Sequence, residues 1–365
     1  MNSEEKLLNK NNTLMLHGIA ILMMVYHHLF INGNTWFVNE GKSLFDFFNF
    51  LNLGIAETAQ YTFAWFCKIC VAVFAFTSGY AMFVQFENRC KGNLNIKTML
   101  KYCLQRFWSF YKKYFLCFVF FVGYEYLTGN RDGFDYSLSN VVLSLIGIRA
   151  SFNGTLWYVA VYYRMLLLSP IFYLILKKIR IRDYLIIIGI GVLSIVVAFI
   201  SGNGLVYLKS ISTIIQNYVI IYILIFAEGM FCARYNWIDI IASKLNMFTS
   251  ILLLMVTYIT RVLLIRAPSD SLFDLVLTIP FIVSVTKIVS KCDILSKVLC
   301  FLGKHSSYIW YCHAYFYSYL FFNLVLRCNQ SIIVYIQVII YSLITSFIFT
   351  LIEKSLDKLI QKKTV

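Results

Sequence analysis

Apolar runs of about twenty residues follow one another along this chain, each long enough to cross ~30 Å of hydrocarbon as a helix. Inside a bilayer every backbone N–H and C=O must be satisfied within its own helix or a closed barrel, so such runs leave little choice of architecture. Residue usage agrees, with 60% hydrophobic and 13% charged residues, where a soluble domain carries about 25% charged. Three prolines, and no tract rich in Gly, Ser or Pro, give no sign of a linker, soluble domain or low-complexity segment. The reading is one all-α polytopic membrane domain over residues 1–365. Its ten expected helices lie at about 14–32, 64–84, 109–127, 156–176, 184–200, 211–231, 247–265, 271–287, 305–325 and 331–352. The first run is long, contains histidines and ends in Ile31-Asn32-Gly33-Asn34 rather than a small-x-small site, so it reads as a span and not a cleavable signal.

The net charge of +15 raises the question of nucleic acid, but its distribution follows topology. With the N-terminus inside, the inner segments hold 23 Lys and Arg and the outer segments hold 7. That asymmetry is the positive-inside pattern for ten spans with both termini cytoplasmic, and it leaves nucleic-acid binding without support. The ten cysteines sit mostly in apolar runs. Cys67-Lys68-Ile69-Cys70 is a CxxC without a second pair or a nearby histidine, so it reads as core packing, and no metal is expected. P-loop, Rossmann, HExxH and GxSxG patterns are absent, as is a convincing internal repeat.

Polar groups at membrane depth are costly and therefore informative. The first span places His17, His27 and His28 on one helix. At 100° and 1.5 Å per residue, His28 returns to nearly the face of His17, about 16 Å further along, and His27 points about 100° away. His28 is the candidate general base, since imidazole titrates near neutrality and can take and return a proton; the competing role is a hydrogen bond between helices. His27 reads as an outer-interface residue. His313 lies in Leu302-Gly303-Lys304-His305-Ser306-Ser307-Tyr308-Ile309-Trp310-Tyr311-Cys312-His313 and stands between packing and chemistry. His305 reads as the cytoplasmic end of that helix.

The inner segment 85–113 interleaves Arg89, Lys91, Lys97, Lys101, Arg106, Lys112 and Lys113 with Tyr102, Phe107, Trp108 and Tyr111. It is a topology anchor at the headgroups or a cationic pocket for a phosphate-bearing ligand, with Arg106 placed where the polar segment enters the membrane. Arg164, inside the fourth span, needs a partner or an aqueous cavity. Phe76-Thr77-Ser78-Gly79-Tyr80 carries small residues that let another backbone approach. Asn153-Gly154-Thr155-Leu156-Trp157-Tyr158 marks a loop entering the fourth span. Glu57, Glu125 and Glu228 are the acidic residues nearest the spans, placed at ends or interfaces.

Taken in order, these clusters resemble acyltransferase family 3, the integral membrane acyltransferases of surface polysaccharides. The family's first-helix Arg-Gly-Ile-Ala…His is similar to His17-Gly18-Ile19-Ala20 through His28, with His17 in the place of the arginine. Its Phe-x-x-Ser-Gly-Phe/Tyr resembles Phe76 to Tyr80, and its Arg-Ile-x-Pro resembles Arg106-Phe107-Trp108-Ser109, with Ser109 for proline. Its Leu-Trp-Phe/Tyr…Pro helix is similar to Leu156-Trp157-Tyr158 through Pro170. An acidic residue often found five positions after that Trp is Tyr162 here. Its Leu-Gly-Lys-x-Ser…His element is similar to Leu302, Gly303, Lys304, Ser306 and His313.

The resemblance implies a multi-pass protein of the bacterial plasma membrane that moves an acyl group, most often acetyl, from acyl-CoA to a sugar hydroxyl. The acceptor would be a surface polysaccharide or its lipid-linked precursor. With it, His28, His17 and His313 are the expected catalytic residues, and Arg106, Lys101 and Lys112 of the basic segment are expected to hold the phosphates of acetyl-CoA. Direct transfer is favoured over an acyl-enzyme, because no Ser or Cys is evidently paired with a histidine. The competing expectations are a proton-coupled transporter or flippase using the same histidines as relays, and an assembly subunit without chemistry.

Overall fold

In the computed structural model the described residues are 6–31, 55–90, 95–129, 134–178, 180, 182, 218–263, 270–321, 325 and 331–363. They form helices, with no strand among them. In chain order these are α1 (Lys10–Phe30), α2 (Ile55–Cys67), α3 (Cys70–Cys90), α4 (Ile96–Leu127), α5 (Leu138–Leu145) and α6 (Tyr158–Lys178). Then come α7 (Tyr218–Tyr235), α8 (Trp237–Ser243), α9 (Met247–Leu263), α10 (Asp274–Val289), α11 (Asp293–Ala314) and α12 (Ser331–Lys363). Among the described residues, four stretches are long and apolar enough to cross a membrane: Lys10–Phe30, Thr62–Cys90, Gly154–Lys178 and Ile332–Leu359. A fifth forms if α7 and α8, bent by 70° at their junction, are one span. The bend falls on Asn236, whose φ of 52° lies in the left-handed region that asparagine tolerates. The span expected at 184–200 lies outside the described residues.

Two helix starts differ from the hydropathy reading for one reason. A helix that continues beyond the bilayer changes from apolar to charged residues without stopping. α4 therefore starts at Ile96, not 109, and carries Lys97, Lys101, Arg106, Lys112 and Lys113 as helical residues. The side chain of Asn95 starts it by accepting from Thr98 N at 3.0 Å. α11 starts at Asp293, not 305, so His305 is an interior helical residue rather than a helix end. The expected span 64–84 is interrupted by a turn at Lys68–Ile69, which places the CxxC across the junction of α2 and α3. Inside α6, Pro170 cannot donate to Leu166 O; the Ser169 hydroxyl does so instead, at 2.8 Å.

The residues group into two compact units. The first contains Met1–Leu7, Val71–Cys103 and Arg164–Ile288. Within it, α3 and α7 cross on two glycines: a Cβ on Gly79 would collide with Phe226 O, and one on Gly229 with Phe76 O. That is the close backbone approach expected of the Ser-Gly cluster. Arg261 and Asp274 form a bidentate ion pair, Nε to Oδ1 at 2.9 Å and Nη2 to Oδ2 at 3.1 Å, with 2% and 0% of the side chains exposed. Arg261 is thus a buried partner of a carboxylate and not a loop charge. Arg164 lies exposed on α6.

The second unit contains Leu8–Cys70, Leu104–Tyr163 and Val289–Val365. Its centre is α1 packed on α11, with α2 and α12 against them. Asn9 caps α1, its side chain accepting from Asn12 N at 2.9 Å. α1 and α11 meet backbone to backbone, since a Cβ on Gly18 would collide with Leu299 O and one on Gly303 with Leu14 O. Aromatic rings of α4 run beside α11: Phe110 on Tyr311, Tyr114 on Tyr311, and Phe121 stacked on Tyr315 at 4.3 Å. Beyond Ala314 the helix widens into a π turn, Tyr315–Tyr319.

Candidate functional site

The contacts of α1 and α11 run in one direction. Cys300 Sγ donates to Asn11 O at 3.2 Å near the start of both helices. The glycine crossing lies in the middle, and His28 meets His313 at the far end. The two helices are therefore parallel, and each histidine stands ten residues beyond its glycine. At 1.5 Å per residue both lie about 15 Å past the crossing, so they arrive level.

His28 Nδ1 and His313 Nε2 are 2.8 Å apart, with ring planes at 14°. His313 is fully buried and its Nδ1 lies 2.7 Å from Trp310 O. Trp310 is fixed in turn: its indole N–H donates to Thr155 O at 3.2 Å, and Tyr158 meets its ring edge-on. Asn153 caps that segment, its side chain accepting from Thr155 N at 3.1 Å. Three separate sequence clusters, the first span, the Asn153–Tyr158 loop and the 302–313 element, thus converge on one imidazole pair. His28 is only partly buried.

The remaining polar residues divide clearly. His17, half-buried on the His28 face of α1, lies within the field of the Arg106 guanidinium. Arg106 is exposed on α4. Lys112 is an ion-pair partner, 2.8 Å from Asp357 Oδ1 and 3.8 Å from Glu353 Oε1 of α12. Lys101 is exposed and belongs to the first unit, five residues and about 140° round α4 from Arg106.

A family model described as an acyltransferase domain matches residues 15–351. The chain belongs to acyltransferase family 3. No curated protein and no solved structure matches it.

Within this acyltransferase family 3 chain, the structure brings His28 and His313 into contact. His27 turns aside, with its Nδ1–H donating to Ala64 O of α2 at 2.7 Å and its ring edge-on to Trp65. His305 is bonded to Ser346 Oγ at 2.8 Å and packed on Phe347 of α12. No group of three His, Cys, Asp or Glu side chains among the described residues could hold a metal ion. The sequence reading passed over the carbonyl of Trp310, because a backbone acceptor leaves no trace in composition. It also placed Glu125 at an interface. Glu125 is 0% exposed on α4, and neither carboxylate oxygen has a hydrogen-bond partner among the described residues. A lone acid in the apolar stretch Tyr114–Leu127 was the available signal.

Proposed function

We propose that this chain is a membrane O-acetyltransferase. It transfers the acetyl group of acetyl-CoA to a sugar hydroxyl of a surface polysaccharide or its lipid-linked precursor, at a bacterial plasma membrane. The observation that supports this reading is the His28–His313 pair, two imidazoles in contact in the half of the helices away from the basic segment. A single histidine on a span serves packing as readily as chemistry; one held by a second imidazole has the arrangement of a base and its support.

In this reading His28 takes the proton of the sugar hydroxyl. His17 and Arg106 serve the anionic phosphates of acetyl-CoA near the cytosolic face, Arg106 by its planar donor fork. Lys112 joins them by exchanging its carboxylate partners for phosphate oxygens. The thioester supplies the activated acyl group. The aromatic walls formed by Phe110, Tyr114, Tyr158 and Trp310 limit water, which would otherwise compete with the hydroxyl.

The test uses a deletion strain complemented with the wild-type chain or His28→Ala, matched for membrane level. Acetyl content of the surface polysaccharide is read by proton NMR. Wild type restores the acetyl signals and His28→Ala leaves them at the deletion level. Full restoration by His28→Ala would remove His28 as the base; no change with wild type would remove the acceptor assignment.

A further inference from the structure

The tautomer of His28 follows from its neighbours. His313 Nδ1 faces two carbonyl oxygens, Trp310 O at 2.7 Å and Ile309 O at 3.2 Å. Carbonyls only accept, so His313 Nδ1 carries a hydrogen, and in the neutral ring Nε2 is then an acceptor. That acceptor faces His28 Nδ1 at 2.8 Å, so His28 Nδ1 is the donor of this contact. The lone pair of a neutral His28 is left on Nε2. We infer that His313 is a positioning residue: anchored on the Trp310 carbonyl, it holds His28 in the Nδ1–H tautomer and so presents Nε2 as the base. The task given to Nε2 rests on the acyl-transfer reading above; the tautomer does not.

The surroundings fit a rigid support. His313 is fully buried, and Trp310 is held from its other side by Thr155 and by the rings of Phe110 and Tyr158. His27, about 100° round α1, is turned toward α2 by its bond to Ala64 O and away from His313. A metal-bound or catalytic imidazole is commonly fixed by a hydrogen bond to its second nitrogen, and the acceptor here is another imidazole.

The step balances without a further reactant. The hydroxyl oxygen forms the new C–O ester bond as its proton passes to His28 Nε2. The thioester C–S bond breaks, and the departing thiolate takes that proton from Nε2. His28 returns to its starting tautomer, its Nδ1–H donating to His313 throughout, and His313 never changes protonation.

Two measurements on the full-length chain in lipid nanodiscs test this. The first follows transfer of labelled acetyl from acetyl-CoA to surface polysaccharide prepared from the deletion strain. His313→Leu lowers kcat by roughly 10²- to 10⁴-fold with little change in the KM for acetyl-CoA, the scale of losing an orienting partner. His313→Gln, whose amide oxygen can accept from His28 Nδ1–H, recovers at least about tenfold of that loss. In a His28→Ala background, His313→Leu costs nothing further, since it acts only through His28.

The second measurement is ¹⁵N NMR of the histidines, of which the chain has five. The signal lost in His28→Ala reports an Nδ1–H tautomer in the wild type and a tautomer mixture in His313→Leu. An Nε2–H tautomer at His28, or an added loss from His313→Leu in the His28→Ala background, overturns the inference. An Nδ1–H tautomer in a chain that transfers no acetyl sustains the inference and removes the acyl-transfer reading.

Discussion

Adjacent histidines on one helix have separate fates because a residue step turns the side chain by about 100°. His27 reaches α2 and ties Ala64; His28 reaches α11 and finds His313. This much was legible in the sequence, since helical phase alone separates the two. Partners were not legible, because phase says where a side chain points and not what meets it. Glu125 shows the same limit. Its position near the end of an apolar run suggested an interface, yet the aromatic face of α4 carries it fully inside. A buried carboxyl without hydrogen bonds costs stability, of the order of 1–3 kcal/mol in mutational data. Replacing it by an apolar side chain of similar size removes that cost, so Glu125→Met is expected to be more stable than wild type by about this amount. Thermal unfolding of the purified chain in detergent, followed by tryptophan fluorescence, reads the shift. A lower melting temperature would mean that the carboxyl has a partner in the working protein, and the variant's transfer rate would then show whether that partner is a substrate.

At the scale of elements, the site depends on two glycines that touch no substrate. Gly18 and Gly303 let α1 and α11 meet through their backbones, and the level arrival of His28 and His313 follows from equal distances beyond that crossing. A side chain at either glycine must push the helices apart or turn them. Gly303→Ala is expected to cost roughly 1–3 kcal/mol, the usual price of overpacking, and to break the 2.8 Å histidine contact. Transfer activity should fall toward the level of His313→Leu, although the substitution lies about 15 Å along the helix from His313. Normal activity in a well-folded Gly303→Ala protein would show that the crossing does not set the histidine geometry. The Leu302-Gly303-Lys304 cluster was visible in the sequence; its mechanical role was not, because small residues signal a close approach without naming the helix that approaches. Helix ends were the least legible elements. α4 and α11 continue through charged residues that hydropathy reads as loop, and the segment taken as a basic loop is largely helix.

For the whole molecule, the second unit carries an argument about the number of crossings. α1 and α11 are parallel, as their three contacts in sequence order show. α11 and α12 are antiparallel: Phe301 meets Phe347, His305 meets Ser346, Cys312 meets Ser342 O and Phe316 meets Tyr341, so numbers rise on one helix as they fall on the other. The start of α1 and the end of α12 therefore lie toward the same face. A chain that enters and leaves at one face crosses an even number of times, as ten spans would. That face also holds Lys112 of α4, bonded to Asp357 of α12, and by the positive-inside rule we propose that it is the cytoplasmic one. Arg261 does not weaken that asymmetry, because a cation paired inside the protein is not a loop charge. Both termini are thus expected in the cytosol. Fused to the C-terminus, green fluorescent protein should fluoresce and alkaline phosphatase should be inactive, and an N-terminal epitope should resist antibody until the membrane is permeabilised. Active phosphatase at the C-terminus with a protected N-terminal epitope would require an odd number of crossings. That result would break the parallel and antiparallel pairing on which the histidine site depends.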